Sequence, residues 1–223
     1  MYSIVIPAYN EEKALREVVI RTLASNPGAG LILVDDGSSD RTWDIMRAFA
    51  DDHRVRIFKH KTNRGKAHAL KTGYVNARTE TIATIDADMS YPPERIPDLV
   101  ATFEQGYDMV VGSRFLNGIP GKISLVRSLA NITGALIASV VLKRRITDLT
   151  SGLRVFNRRV AFLETKASNL EYEAELTSRV ISNKMHYAEV SIVVEKRIGK
   201  SKLKVFKYCY LFMKAVFVGK YSN

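Results

Sequence analysis

Apolar positions along the chain follow two alternating rhythms. Short β-branched runs occur at residues 3–7 (SIVIP), 31–36 (LILVDD), 55–60 (VRIFKH), 81–86 (TIATID) and 109–114 (MVVGSR). Each has the length of a strand and little internal polarity. Between them, Leu15, Val18, Val19 and Leu23 recur at helical spacing, and segments 42–52 and 65–77 also read as helices. Ile96, Leu99, Val100 and Phe103 mark a further amphipathic helix behind Pro92 and Pro93, where a proline costs no hydrogen bond because first-turn N–H groups have no intrahelical partner. Strands apolar on both sides and separated by helices predict an α/β fold. Its mainly parallel sheet is covered on both faces, with ligand sites at the carboxyl ends of the strands.

The second half is less regular. Residues 128–142 (SLANITGALIASVVL) are 15 uncharged positions flanked by Arg127 and by Lys143, Arg144 and Arg145. A spanning helix needs about 20 apolar residues, so this run is expected not to cross a membrane. Two readings stand for it: a buried core helix, or a helix lying in a membrane surface with its basic ends on anionic headgroups. Residues 202–223 are rich in aromatics but interrupted by Lys204, Lys207 and Lys214, and their apolar stretches are also short. The expected organisation is one domain over 1–200, containing an interfacial helix at 128–145, then a basic amphipathic segment at 201–223.

Composition narrows the partners. A hydrophobic content of 46% over 223 residues supports a real core, and a formal charge of +11 calls for an anionic partner such as a phosphorylated ligand, an acidic membrane or nucleic acid. The basic residues are dispersed and no nucleic-acid-binding motif occurs, so no nucleic-acid partner is expected. The single cysteine, Cys209, rules out an internal disulfide and a multi-cysteine zinc site. The opening MYSIVIPAYNEE has no basic and apolar leader pattern, and a reducing, cytosolic setting is expected. His53, His60, His68 and His186 show no metal-ligand spacing and read as surface or packing residues, as Met89 and Trp43 read as core.

Two common phosphate sites are missing. NPGAGLIL lacks the third glycine of G-x-G-x-x-G and precedes its strand, and NRGKAHAL ends its Gly-Lys in alanine rather than Ser or Thr. The strand ends carry acids instead: Asp35, Asp36 and Asp40, then Asp86 and Asp88. Carboxylates repel phosphate, but a pair spaced i and i+2 can share a hard divalent cation, Mg²⁺ or Mn²⁺, that bridges to a diphosphate. Asp40 reads more simply as a cap for the helix starting near Thr42.

Seven stretches, IVIPAYNEE, VDDGSSDRT, NRGKAHAL, DADMSYPPE, VGSRF, DLTSGLRVF and KRIGKSKL, occur in the order seen in family 2 glycosyltransferases. The chain resembles in particular the synthases of dolichyl-phosphate mannose or glucose and similar polyprenyl-phosphate sugars, from about residue 3 to 204. The resemblance implies a GT-A fold and transfer of a hexose from GDP-mannose or UDP-glucose to dolichyl or polyprenyl monophosphate. The enzyme would be peripheral on the cytoplasmic face of an anionic membrane. It puts Pro7, Ala8, Tyr9, Glu11, Val34, Asp36, Lys66, Asp86 and Ala87 around the nucleotide sugar. It makes Asp88 the metal ligand, with Asp86 beside it and Ser90 where relatives often carry glutamine. Lys66 has a second reading as an exposed helical lysine. Arg114, Arg127, Asn131, Arg197, Ser201 and Lys202 would hold the acceptor phosphate, Asn131 standing where a serine is usual. Asp88, Arg114, Arg127 and Arg197 would carry the catalysis. Asp148, Thr150, Ser151, Gly152 and Arg154 would lie near sugar and acceptor, with a structural loop an equal reading for Thr150 and Ser151. An alternative keeps the fold and moves sugar to a hydroxyl, with Glu171, Glu173 or Glu175 as base.

Overall fold

The structure, a computed structural model, describes residues 1–169, 171–195, 198 and 205–221, the side chains of 205–209 excepted. Strands β1 (Ser3–Ala8), β2 (Gly30–Asp35), β3 (Val55–Lys59), β4 (Thr81–Thr84) and β5 (Met109–Ser113) form where the apolar runs predict them, joined by β6 (Arg154–Asn157) and β7 (Tyr187–Ser191). They make one seven-stranded sheet in the order β3-β2-β1-β4-β6-β5-β7. β6 is antiparallel to both its neighbours, and the other pairings are parallel.

Period-two alternation splits each central strand between two cores. Ile4, Ile6, Leu31 and Leu33 face one side, with α1 (Leu15–Ser25) and α4 (Ile96–Phe103) packed on it. Val5, Ile32 and Val34 face the other, covered by α3 (Lys66–Asn76) and α7 (Tyr172–Ser182). α2 (Thr42–Arg47) is shorter than the expected 42–52 helix, and α6 (Arg158–Ala161) is a single turn. α3 lies close on β1 because Gly73 has no side chain; a methyl there would collide with Val5.

α5 (Leu125–Leu142) starts three residues before the uncharged run and takes in Arg127. With 18 residues it is about 27 Å long at 1.5 Å per residue. By length and composition it is apolar enough to cross a membrane, which corrects the expectation that the run is too short. Its packing is inverted. Ser128, Ala135, Ala138 and Leu142 are buried, whereas Leu125, Val126, Leu129, Leu136 and Val140 are between 51% and 73% exposed. A third small core joins α5 to α7 and α8 (Val205–Tyr221) through Ala138, Leu142, Ala174, Ala215 and Val216. The Ser178 hydroxyl donates to the Val216 carbonyl at 2.7 Å, fixing α8 against α7.

The Gly73 contact can be tested directly. Gly73→Ala should cost about 2 kcal/mol in urea unfolding with an unchanged m-value, the range seen for overpacked cores. Stability equal to the parent's would refute the close approach of α3 to β1.

Candidate active site

β1, β2 and β4 run parallel, so their carboxyl ends open on the same side, with Ala8 level with Asp35 in the ladder and Val5 level with Thr84. A cavity of about 370 Å³ lies there, lined by Pro7, Ala8, Tyr9, Glu11, Asp36, Lys66, Asp86, Ala87, Asp88 and Ser90. Of the residues the resemblance gathers round the nucleotide, Val34 differs. It is fully buried in the core under α3, because alternation along β2 directs its side chain to the sheet face that α3 covers. Val34 is therefore a packing residue.

Asp36 forms part of the cavity wall and also holds an adjacent loop. One carboxylate oxygen accepts from His60 Nδ1 at 2.7 Å and the Arg64 N–H at 3.0 Å; the other accepts from the Gly65 N–H at 2.8 Å. His60 is thus a buried packing residue, its Nε2 meeting the Thr72 hydroxyl at 2.9 Å. This anchoring sets the start of α3 and with it Lys66. The Lys66 ammonium sits 2.6 Å from Asp86 and 2.5 Å from Glu173, so it is not an exposed helical lysine. Burial alone would lower its pKa, but the two carboxylates outweigh that and hold it above the ordinary lysine value.

Asp86 lies against the chain at Gly152, where a methyl group would come 2.6 Å from both carboxylate oxygens. Asp88 is 6% exposed, and its carboxylate accepts from the Ser90 N–H at 2.9 Å. Among the described residues no group of three or more His, Cys, Asp or Glu side chains could hold a metal ion. Two carboxylates with Ser90 nearby are an all-oxygen set, which fits a hard divalent cation that takes its remaining oxygens from a diphosphate and water. Lys66 pairs with Asp86, one of the two carboxylates of that set.

At the far end of the cavity the Arg114 fork is occupied. Its Nε lies 2.6 Å and its Nη2 2.8 Å from the buried carboxylate of Asp148, and Nη2 also donates to the Thr150 hydroxyl at 2.8 Å. The guanidinium lies 5.7 Å from the Tyr91 ring centre and 5.5 Å from that of Phe115. Burial acts to lower its pKa and Asp148 more than reverses this. Tyr91 itself, buried beside these groups, is pushed up to about 12. Asp148 and Thr150 thus engage Nε and Nη2 of Arg114, a residue that lines the cavity.

Next to this end opens a second, apolar cavity of about 550 Å³, between α5 and α8. Val126, Leu129, Ile137, Phe212 and Met213 line it, and Arg127, Asn131 and Lys122 supply its polar groups. Ser90, Arg114, Thr150 and Phe212 line both cavities. Arg197, Ser201 and Lys202 lie outside the described residues. Their neighbours attach to the acidic loop: the Glu195 N–H donates to the Ser90 carbonyl at 3.2 Å and the Ile198 N–H to that of Asp88 at 3.0 Å. Glu195 is gripped by Arg21, which also forks onto Glu94.

The acids expected for a hydroxyl acceptor have other duties. Glu175 accepts from the Lys166 and Ala167 N–H groups at 3.0 and 2.7 Å, and Glu171 from those of Ser168 and Asn169. Glu173 belongs to the first cavity, bound to Lys66. Ser151 and Arg154 are fully enclosed: the Ser151 hydroxyl donates to the Gly112 carbonyl, and Arg154 holds the carbonyls of Leu149 and Ser151. Both are structural. Asn169, Phe212 and Lys122 had no signal in the sequence; each reaches the site from a loop or helix far along the chain.

A sheet of this order, with acids at the carboxyl ends and helices on both faces, is the GT-A fold of glycosyltransferases. The pattern described as "Glycosyl transferase family 2" matches residues 3–162, and the chain belongs to that family. It is 35% identical over 225 residues to the undecaprenyl-phosphate 4-deoxy-4-formamido-L-arabinose transferase of Photorhabdus laumondii, covering 96% of this chain and 64% of that one. To the dolichol-phosphate mannosyltransferase of Pyrococcus furiosus it is 28% identical, covering 92% and 61%. The chain thus spans less than two thirds of these relatives. A solved structure of Mycobacterium tuberculosis glucosyl-3-phosphoglycerate synthase with Mn²⁺, UDP-glucose and phosphoglyceric acid superposes with TM-score 0.78 at 19% identity, over 99% of this chain and 79% of that one. The same enzyme with Mg²⁺ and UDP gives 0.74 at 20% identity, over 98% and 77%.

Replacing Lys66 should expose its structural weight. Lys66→Met leaves the buried Glu173 and the half-buried Asp86 without their cation and is expected to cost about 3 kcal/mol in denaturant unfolding. Adding Glu173→Gln should recover at least about 1 kcal/mol. A single variant as stable as the parent would show that the ion triad contributes nothing.

Proposed function

We propose that the chain transfers a glycosyl group from a nucleoside diphosphate sugar to a polyprenyl monophosphate at a membrane surface, with inversion at the anomeric carbon. One observation carries the reading: a polar cavity holding Asp86, Asp88 and Lys66 merges with an apolar groove through Ser90, Arg114, Thr150 and Phe212. A charged donor and an acceptor made of one phosphate on a hydrocarbon tail match that division. The names of the relatives support it, since both pair a sugar with a polyprenyl phosphate. They name 4-deoxy-4-formamido-L-arabinose and mannose, so the candidate sugars include one outside the expected hexoses.

In this reading Pro7, Ala8, Tyr9 and Glu11 line the nucleoside end, with Asp36 shaping it through the loop it anchors. Mg²⁺ or Mn²⁺, which accompanies UDP in the similar solved structures, would be held by Asp88 with Asp86 and Ser90 alongside, and would neutralise charge on the departing diphosphate. Lys66 keeps Asp86 in place. The acceptor phosphate, with a second pKa near 6, is largely dianionic at neutral pH. Its own oxygen attacks, and no side chain need remove a proton. The engagement of Glu171 and Glu175 in anchoring main-chain N–H groups agrees with that economy. Arg127 and Lys122 on the groove, with Arg197, Ser201 and Lys202 from the following segment, would offset repulsion between the two anionic substrates.

The outward aliphatic face of α5 suits a bilayer. Most of its large side chains point away from the protein, Leu142 excepted, while small ones pack inward, the arrangement of helices that meet lipid. Leu136 and Val140 lie outside both cavities. Leu136→Glu with Val140→Glu should therefore reduce co-sedimentation with anionic vesicles about tenfold and leave nucleotide binding intact; unchanged sedimentation would remove the membrane from the proposal.

The decisive assay offers GDP-mannose, UDP-glucose and nucleotide-linked 4-deoxy-4-formamido-L-arabinose with a short polyprenyl phosphate and Mg²⁺ or Mn²⁺, and identifies glycolipid by mass. Product is expected with one donor, together with at least a hundredfold loss on chelation or in Asp88→Asn. No product from any donor, or full Asp88→Asn activity in chelator, would sink the reading.

A further inference from the structure

The Thr150 hydroxyl stands at the meeting of the two cavities. Its oxygen accepts from Arg114 Nη2 at 2.8 Å and from Asn131 Nδ2 at 2.6 Å. A hydroxyl has two acceptor lone pairs and one proton. Both lone pairs are thus taken, and among the described residues no acceptor receives the proton. Turning the Asn131 amide over would let Thr150 donate to it instead. The other amide atom, however, is buried without a partner among the described residues. An oxygen there leaves lone pairs unmet, which costs less than two unmet N–H protons.

The support behind this hydroxyl is rigid. Asp148, fully buried, takes the Arg114 fork, the Arg114 N–H at 3.1 Å and the Thr150 N–H at 3.2 Å, fixing both residues to one carboxylate. A guanidinium donating into a hydroxyl oxygen polarises it and strengthens it as a donor. Asp148 offsets the Arg114 charge and holds Nε and Nη2, so the guanidinium that donates to Thr150 is fixed in place.

We infer that Thr150 donates a hydrogen bond to an oxygen of the acceptor phosphate, and that Arg114 is the positioning residue that aims it. The inference rests on the proposed polyprenyl-phosphate acceptor and adds the contact that selects its headgroup. Phosphate, with no proton to give at neutral pH, matches a site that presents O–H and N–H donors. An acceptor hydroxyl would instead need a nearby base.

The test measures direct binding of a short polyprenyl monophosphate by titration calorimetry in detergent, beside steady-state kinetics at saturating donor. Thr150→Val, close in shape but without the hydroxyl, should raise both the acceptor Kd and the acceptor KM about tenfold, one hydrogen bond to a charged group. The Kd for nucleoside diphosphate with Mg²⁺ should stay within about twofold of the parent. Thr150→Ser should restore acceptor binding. Should the valine variant fold poorly, Asn131→Ala, which keeps the hydroxyl but loosens it, should give a smaller acceptor-specific loss. A valine variant that binds the acceptor as the parent does overturns the role of Thr150 and leaves the proposed function standing. A parent that binds no polyprenyl phosphate overturns the proposed function, and this contact with it.

Discussion

The crowding of carboxylates at one end of the sheet governs this molecule. Asp86, Asp88 and Glu173 line one cavity there, Asp148 stands behind it on Arg114, and three of the four are less than 7% exposed. Two unit charges 4 Å apart repel by about 4 kcal/mol at an effective dielectric of 20. The fold answers with two internal cations. Lys66 bridges Asp86 and Glu173, and Arg114 takes Asp148. Asp88, the proposed cation ligand, lines the same cavity as Asp86 and Glu173, so structure and proposed chemistry draw on one pool of charge.

That charge balance also divides the site. Lys66 enters from the start of α3, placed by the loop that Asp36 anchors; Arg114 follows the end of β5. Between them the main chain from Asp86 to Ser90 carries the acids on one side and accepts hydrogen bonds from Glu195 and Ile198 on the other. The acidic loop and the segment leading to Arg197 are thus joined through backbone, where substitution of side chains leaves the link in place. Arg21, gripping Glu195 and Glu94 together, secures that link from α1.

The groove beside the polar cavity depends on the inverted packing of α5. A helix that buries Ser128, Ala135 and Ala138 lets α7 and α8 approach closely, while Leu125, Val126, Leu129, Leu136 and Val140 face outward. Between α5 and α8 this leaves an apolar space ending at Thr150 and Arg114. Exposed aliphatic surface is unfavourable in water by about 25 cal/mol per Å², a cost that the proposed lipid contact would relieve.

Much of this was legible in the residues alone. Period-two and helical patterns located β1 to β5 and α1, α3 and α4, because burial on a sheet face or helix face leaves its period in the sequence. The acids at the strand ends were equally visible, since parallel strands send their carboxyl ends to one side. Tertiary structure alone decided the partners. Val34 reads as part of a site motif yet alternation sends it into the core, and the partner of Arg114 Nε and Nη2, Asp148, lies 34 residues on. β6, antiparallel between β4 and β5, and Phe212, brought from α8 to both cavities, were likewise beyond local pattern. Periodicity records whether a side chain is buried, but which group meets it across the fold depends on contacts distant in sequence, and those no local window contains.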